Sequence, residues 1–321
     1  MTTAPGTSPA PRPPAGHARL HAPGSARQST RSGRAGPAGA ARLRQYDRGI
    51  PRTCSARGLE AARIGVALGR GDDGDRRVHQ RPVELEVLAA FARRTDALML
   101  ALDSSDDAIL RQRLQRLGTP VVMMEREFSG GWDAVLTDHA GGAHAATRHL
   151  LGLGHRRIAL ITASADVRPG AQRVLGYTRA FAEAKREMPA GLVRCGSFDS
   201  DFAFREASSL LSPRDPPTAI IAGGIQLLAG VLRAAGLRRV AIPSRLSVVS
   251  CGDTDLAQLA SPPVTVARWD VKAIGRAAAE GVLRRLDATS DAAPVRVMLE
   301  SELVLRASCA APAAGPRSRA R

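Results

Sequence analysis

From Ile64 onward the chain alternates short apolar runs with longer amphipathic stretches, and this alternation constrains its fold more than any other feature. The runs are Ile64 to Leu68 (IGVAL), Ala97 to Leu102 (ALMLAL), Val121 to Met124 (VVMM), Ile158 to Thr162 (IALIT), Ala219 to Ala222 (AIIA) and Leu246 to Ser250 (LSVVS). Each is too short for a helix and nearly continuous in its apolar character, the pattern of a strand covered on both faces. Helices are expected between them, at about 82 to 94, 140 to 152, 171 to 186, 202 to 211, 225 to 235 and 270 to 286. One further helix has legible ends: Ser104 can cap it, Asp106 and Asp107 suit its first turn, Leu110, Leu114 and Leu117 form one stripe, and Gly118 with Pro120 stops it. The pattern predicts an α/β protein with open parallel sheets. Such sheets bind ligands beyond the carboxyl ends of their strands, so function is sought in the loops after Leu68, Leu102, Thr162, Ala222 and Ser250.

Charge is unevenly placed along the 321 residues. Residues 1 to 59 hold ten arginines and one acid, Asp47, for +9; residues 310 to 321 add +3, leaving only +4 of the total +16 between. Of the 46 basic residues only Lys185 and Lys272 are lysines, so the arginine content reads as compositional before it reads as a binding surface. Arginine-bearing, acid-poor ends attract phosphates by counterion release but read no base sequence. Residues 1 to 54 are crowded with Pro, Gly, Ala, Ser and Arg and show no sustained apolar period. They cannot bury enough surface to offset the entropy of ordering and are expected to be disordered, as is the tail from 310.

No apolar run approaches the roughly 18 residues of a membrane span, and the first twenty residues lack the apolar core of a secretory signal. Cys54, Cys195, Cys251 and Cys309 stand far apart with no C-x-x-C pair, which suggests neither a zinc site nor a disulfide framework. A reducing cytoplasm is the expected location.

Several chemistries are set aside on spacing. His139, His144 and His149 follow one another at five-residue steps, which turn about 140° on a helix and share no face. Gly152 and Gly154 begin like a dinucleotide loop, but the third glycine is missing and a strand follows where a helix is needed. There is no G-x-S-x-G elbow and no phosphate-cradling loop of the G-x-x-x-x-G-K type. Asp253 and Asp255 are close enough for acid/base work, yet aspartates after a strand are commoner as turn and cap residues. No enzyme, metal or cofactor is expected.

Six stretches occur together in a recognisable order. They are TDHAGGAHAATRHLLGLGHRRIALIT (137 to 162) with RVLGY (173 to 177), PTAIIAG (217 to 223), PSRLSVVSCGD (243 to 253), SPPVTVARWDVKAIGRAAAEGVLRRL (261 to 286) and ELVLRAS (302 to 308). From about Asp96 to Ser308 the chain resembles the effector-binding core of the lactose-repressor (LacI/GalR) family of bacterial transcriptional regulators. The resemblance implies two doubly wound parallel-sheet lobes, like those of periplasmic binding proteins, joined by three crossovers with the effector between them. Residues 60 to 155 with 266 to 291 would form the first lobe, and 156 to 265 with 292 to 309 the second.

What the resemblance implies is a homodimeric, cytoplasmic regulator that binds operator DNA and responds to a small molecule of the carbohydrate class. Arg173 matches the family's effector-contacting arginine; a surface ion pair is its plainer explanation. Asp138 matches the aspartate ahead of the helix from Gly141 to Leu153, where capping is the simpler role. Pro262 and Pro263 fall where the family implies a strained turn at the cleft.

The chain also departs from the family. Gly223 and Gly224 stand where the family has Asn-Asp, and Gly252 replaces the first of two acids, leaving Asp253. A sugar would lose hydrogen bonds worth about 0.5 to 1.5 kcal/mol each there, so either a different effector or a degenerate site is expected. Residues 1 to 54 show neither a helix-turn-helix nor a hinge helix; only Ser55 to Leu59 resembles the end of the hinge, with Arg57 and Leu59 as candidate DNA contacts. Between IGVAL and ALMLAL there is room for one helix rather than helix, strand and helix, so the first lobe is expected to be shortened, with an exposed face, an unpaired edge and poor stability. A misassigned start or reading frame, or a decaying gene, would account for both anomalies. The alternative function is an effector-binding core without a DNA-reading domain.

Overall fold

The computed structural model describes residues 44–45, 64–68, 88, 92–101, 108–129, 131–287 and 293–313. All fall within one compact unit, residues 39–321. The candidate DNA contacts Arg57 and Leu59, the polar stretch 69–82 and most of the expected helix at 82–94 lie outside the described residues.

Two sheets organise the chain. The first has the order β1-β2-β3-β4-β5-β11, made of β1 (Arg44–Gln45), β2 (Ile64–Leu68), β3 (Ala97–Ala101), β4 (Val121–Met124), β5 (Asp133–Thr137) and β11 (Arg296–Leu299). Its strands are parallel except β1, which pairs antiparallel with β2 through Arg44↔Val66 and Gln45↔Gly65. The outer edge of β2, expected to be unpaired, is therefore partly covered. Helix α1 (Ala108–Arg116) lays Leu110 and Leu114 on one face, against Leu98, Leu100, Met123 and Leu136. Burying a leucine of this kind contributes about 1.5–3 kcal/mol.

The second sheet runs β12-β10-β9-β8-β6-β7, from β6 (Ile158–Ala163), β7 (Val193–Gly196), β8 (Ala219–Ala222), β9 (Ser247–Cys251), β10 (Thr265–Arg268) and β12 (Glu302–Val304). Only β12 is antiparallel to its neighbour. Successive strand residues point to opposite faces. Ile158 and Leu160 accordingly join the core under α2 (His139–Gly152) and α3 (Arg168–Glu183), while Ala159 and Ile161 join the core under α4 (Ser200–Leu210) and α5 (Ile225–Leu237). A short helix α6 (Asp255–Leu259) follows β9, and α7 (Val271–Asp287) returns to the first sheet, placing Ala278 and Val282 against Met99, Val122 and Val135.

The crossings differ from the expected boundaries. Helix α2 packs on β8, β9, β10 and β12, so the chain enters the second lobe at Asp138 rather than at 155. It leaves after β10, at Trp269 and Asp270. β11 pairs with β5, so the final crossing comes at Glu300 and Ser301 rather than at 292. The three crossings touch one another: Asp138 N–H donates to Leu299 O over 2.8 Å, and the His139 and Trp269 rings meet edge to face at 5.2 Å. The peptide bond between Ser261 and Pro262 is cis.

Candidate functional site

Helix α3 begins directly beyond β6, at the carboxyl edge of the second sheet, with Pro169 in its first turn. Proline fits there because that N–H has no helical partner to lose. The helix carries two arginines to the junction of the lobes. Arg168 Nη1 donates to Thr137 O at 2.9 Å, and its guanidinium lies 3.9 Å from both Glu125 Oε2 and Glu127 Oε2. One and a half turns later, Arg173 is 3% exposed. Its Nη2 donates to His139 Nδ1 at 3.3 Å, while Nε and Nη1 are buried with no hydrogen bond.

His139 relays that contact to the first lobe. Its Nε2 donates to Glu125 Oε2 at 2.8 Å, and Thr137 Oγ1 donates to the other Glu125 oxygen. Burial, reinforced by the Arg173 charge, holds His139 down at about 4, so the ring is neutral and can accept at Nδ1 while donating at Nε2. Burial pushes the Glu125 carboxyl up, but the hydrogen bonds from His139 and Thr137 and the Arg168 charge hold it below its ordinary value. Arg173 is depressed by burial, which the nearby Cys251 and Glu125 only partly oppose. A buried guanidinium with two unused donors is costly unless something pairs with it.

The other candidates take different places. Asp138 caps α2, its Oδ1 accepting from Gly141 N–H at 2.7 Å. Both Asp253 oxygens are taken by Arg306, through Nη1 at 2.9 Å and Nη2 at 2.6 Å, and Arg306 also donates to Val264 O. That pairing, against the opposing effect of burial, lowers the Asp253 pKa. Gly223 is pressed against β6, where a Cβ would stand 2.6 Å from Thr162 Oγ1, a buried hydroxyl without a hydrogen bond. Gly252 has φ +103°, a conformation favouring glycine, and a Cβ there would lie 2.9 Å from Ile225 Cγ1 and 3.5 Å from Trp269 Cη2.

Five residues of this constellation were not singled out from the sequence as site residues: Glu125, His139, Arg168, Ile225 and Trp269. Glu125 sits at φ 58° immediately after β4, a strand-end position of the kind that marks ligand loops, and could have been found by that rule. Ile225 offered no chemical signal, being apolar. The other clustered histidines lie elsewhere: His144 pairs with Glu183 at 2.7 Å, and His149 lies in the last turn of α2. Among the described residues no group of His, Cys, Asp and Glu could hold a metal ion, and no helix is long and apolar enough to cross a membrane.

Comparison with known proteins is consistent with this architecture. The family described as "Periplasmic binding protein-like domain" matches residues 147–309. The chain is similar to the "Ribose operon repressor" of Escherichia coli (strain K12), 29% identical over 241 residues that cover 74% of this chain and 70% of that one. It is also similar to the "HTH-type transcriptional regulator CelR" of Thermobifida fusca, 31% identical over 255 residues covering 76% and 73%. Among solved structures, the "transcriptional regulator CelR-cellobiose complex" superposes with a TM-score of 0.64 at 30% identity, covering 70% of each chain. The two-lobed fold, the order of its motifs and these similarities lead to one conclusion: the chain belongs to the LacI family, whose effector-binding core it contains.

Proposed function

We propose that this protein is a cytoplasmic transcriptional regulator, a homodimer that binds operator DNA and changes its affinity when a small molecule occupies the junction between its lobes. The observation that carries the effector reading is Arg173, a buried cation with two donors unused, placed where three chain crossings meet. A ligand pairing with it would bias the angle between the lobes, because the same guanidinium reaches the first lobe through His139 and Glu125. Asp138 and Asp253 shape the site by holding a helix end and a loop, with Gly223 and Gly252 giving backbone close approach. Carbohydrates come first among the ligands to test, given the similarity to a ribose operon repressor and to a regulator solved with cellobiose. The regulator names of its relatives support a role without catalysis.

Residues 1–54 favour a second reading, an effector-binding core without DNA recognition, since they show no apolar helical period. The two readings separate on binding of a palindromic operator-like duplex against a random duplex at fixed salt. Basic ends alone give weak, salt-sensitive affinity without preference. Preference for the palindrome supports the regulator; equal affinity leaves the core alone. Sedimentation as a monomer at micromolar concentration would remove the dimer.

A further inference from the structure

At the lobe junction no carboxylate is hydrogen-bonded to Arg173. Asp253 is closed by Arg306. Glu125 is shared by Thr137, His139 and Arg168, and Glu127 by Arg168 and Arg296. Arg173, by contrast, contacts a neutral imidazole and the Cys251 thiol, and its Nε and Nη1 are buried without a hydrogen-bond partner. The site therefore offers a buried positive charge with two donors, Nε and Nη1, that have no acceptor in the protein, and a carboxylate or phosphate oxygen supplies both an acceptor and the opposite charge. The opposite need goes unmet: at the carboxyl ends of β8 and β9 stand Gly223, Gly224 and Gly252, none with a side-chain acceptor for ligand hydroxyls. In their place the surface is apolar. Ile225, 45% exposed, flanks Gly252 together with the Trp269 ring, which meets the His139 that Arg173 contacts.

We propose that the effector is a small organic anion, its carboxylate or phosphate held by Arg173 and its apolar face lying on Ile225 and Trp269. This rests on the reading of the lobe junction as an effector site, and it narrows the class of molecule that fills it. A neutral polyol would use Arg173 as a donor but leave its charge uncancelled, and would meet glycines at 223, 224 and 252 in place of side-chain acceptors. An amphipathic anion meets both demands, because cancelling a desolvated charge and covering apolar surface favour binding together.

The test is calorimetric titration of the full chain, at constant ionic strength, with benzoate, phenyl phosphate and ribose 5-phosphate, each against its neutral counterpart: benzyl alcohol, phenol and ribose. Cellobiose serves as a further neutral sugar and sulfate as a control for unspecific anion binding. At least one organic anion is expected to bind about a hundredfold tighter than its neutral counterpart, and tighter than sulfate. Benzoate against phenyl phosphate identifies the acid group. Ile225→Asp, at a partly exposed site that tolerates a polar side chain, is expected to abolish that preference by setting a carboxylate beside the ligand. Neutral sugars binding as well as the anions, with the affinity lost in Arg173→Gln, would overturn the anionic class and leave the effector site standing. Binding of no member of the panel would overturn both.

Discussion

Arg173 Nη2 donates to His139 Nδ1 across 3.3 Å, and this contact joins Arg168 in tying the second lobe's helix α3 to the first lobe, because His139 Nε2 donates onward to Glu125 at 2.8 Å. No separate hinge element is needed to explain coupling. A ligand that claims Arg173 competes with His139 for the same guanidinium, and any change there is felt by the loop after β4. Differential contact of this kind is what a ligand must make if it is to shift a two-state equilibrium.

Stability is predicted to fall as the solution is acidified through the histidine range. His139 titrates at about 4 in the folded protein against 6.5 for an unperturbed histidine, so the unfolded chain takes its proton first. The contribution is intact above about pH 6.5, is lost as pH falls and is gone by about pH 4, a change on the order of 2 to 4 kcal/mol. His149 and His155 are also held low by burial and act in the same direction. Urea melts between pH 7.5 and 5 should show the decline, and His139→Gln should flatten part of it. An unchanged slope in that variant would remove His139 as the cause.

Asp133 is the structural ion of the first lobe. Its side chain is 2% exposed and accepts from Arg284 at 2.6 Å, from Arg285 at 2.7 Å and from Val295 N–H at 2.7 Å, joining β5, α7 and the approach to β11. Burial raises its pKa, but these bonds outweigh it and hold the carboxyl below its ordinary value. Asp133→Ala leaves two arginines facing an apolar gap, and Arg284 is exposed enough to recover water. A loss of about 2 to 4 kcal/mol in equilibrium unfolding is expected.

Asp253 and Arg306 should behave as fold residues. Removing either leaves its partner part-buried and unpaired, so Asp253→Ala and Arg306→Ala are each predicted to cost about 1–3 kcal/mol of stability. Effector affinity in the folded protein should move far less than in Arg173 variants. A titration in which Asp253→Ala abolishes binding without lowering the melt would reverse that assignment.

Restoring an acid at position 252 is predicted to damage the protein. With φ at +103° and Ile225 only 2.9 Å from a Cβ, Gly252→Asp strains the backbone and displaces a neighbour. A loss of about 1–3 kcal/mol in thermal or chaotrope melts is expected, with no gain in affinity for neutral sugars.

Much of the fold was legible because apolar runs such as AIIA and IALIT are nearly uniform and each is buried on both faces. The strands that escaped notice share a different composition. β5 (DAVLT) opens on the buried Asp133, which looks polar in sequence and is neutralised only by Arg284 and Arg285, more than 150 residues away. β7 (VRCG) lies at a sheet edge and is only partly buried, so its pattern carries little apolar signal. The crossing at Asp138 was misplaced by the same kind of distance: whether α2 belongs to one sheet or the other depends on packing against β10 and β12, which no local pattern reports. In the site, Arg173 stood out as a charged residue in a motif. Ile225 and Trp269 did not, since their meaning comes from facing Gly252.

Two readouts on Arg173→Gln test whether Arg173 holds an effector: the melt of the unliganded protein, and calorimetric titration with the tightest ligand of the anion panel. A buried charge kept for a ligand should weaken the empty protein and serve the filled one. The variant is therefore predicted to melt at or above the temperature of the unchanged protein while its affinity falls by about two orders of magnitude. A variant that unfolds readily yet binds normally once folded would show that Arg173 belongs to the core, and that the lobe junction is not where an effector is held.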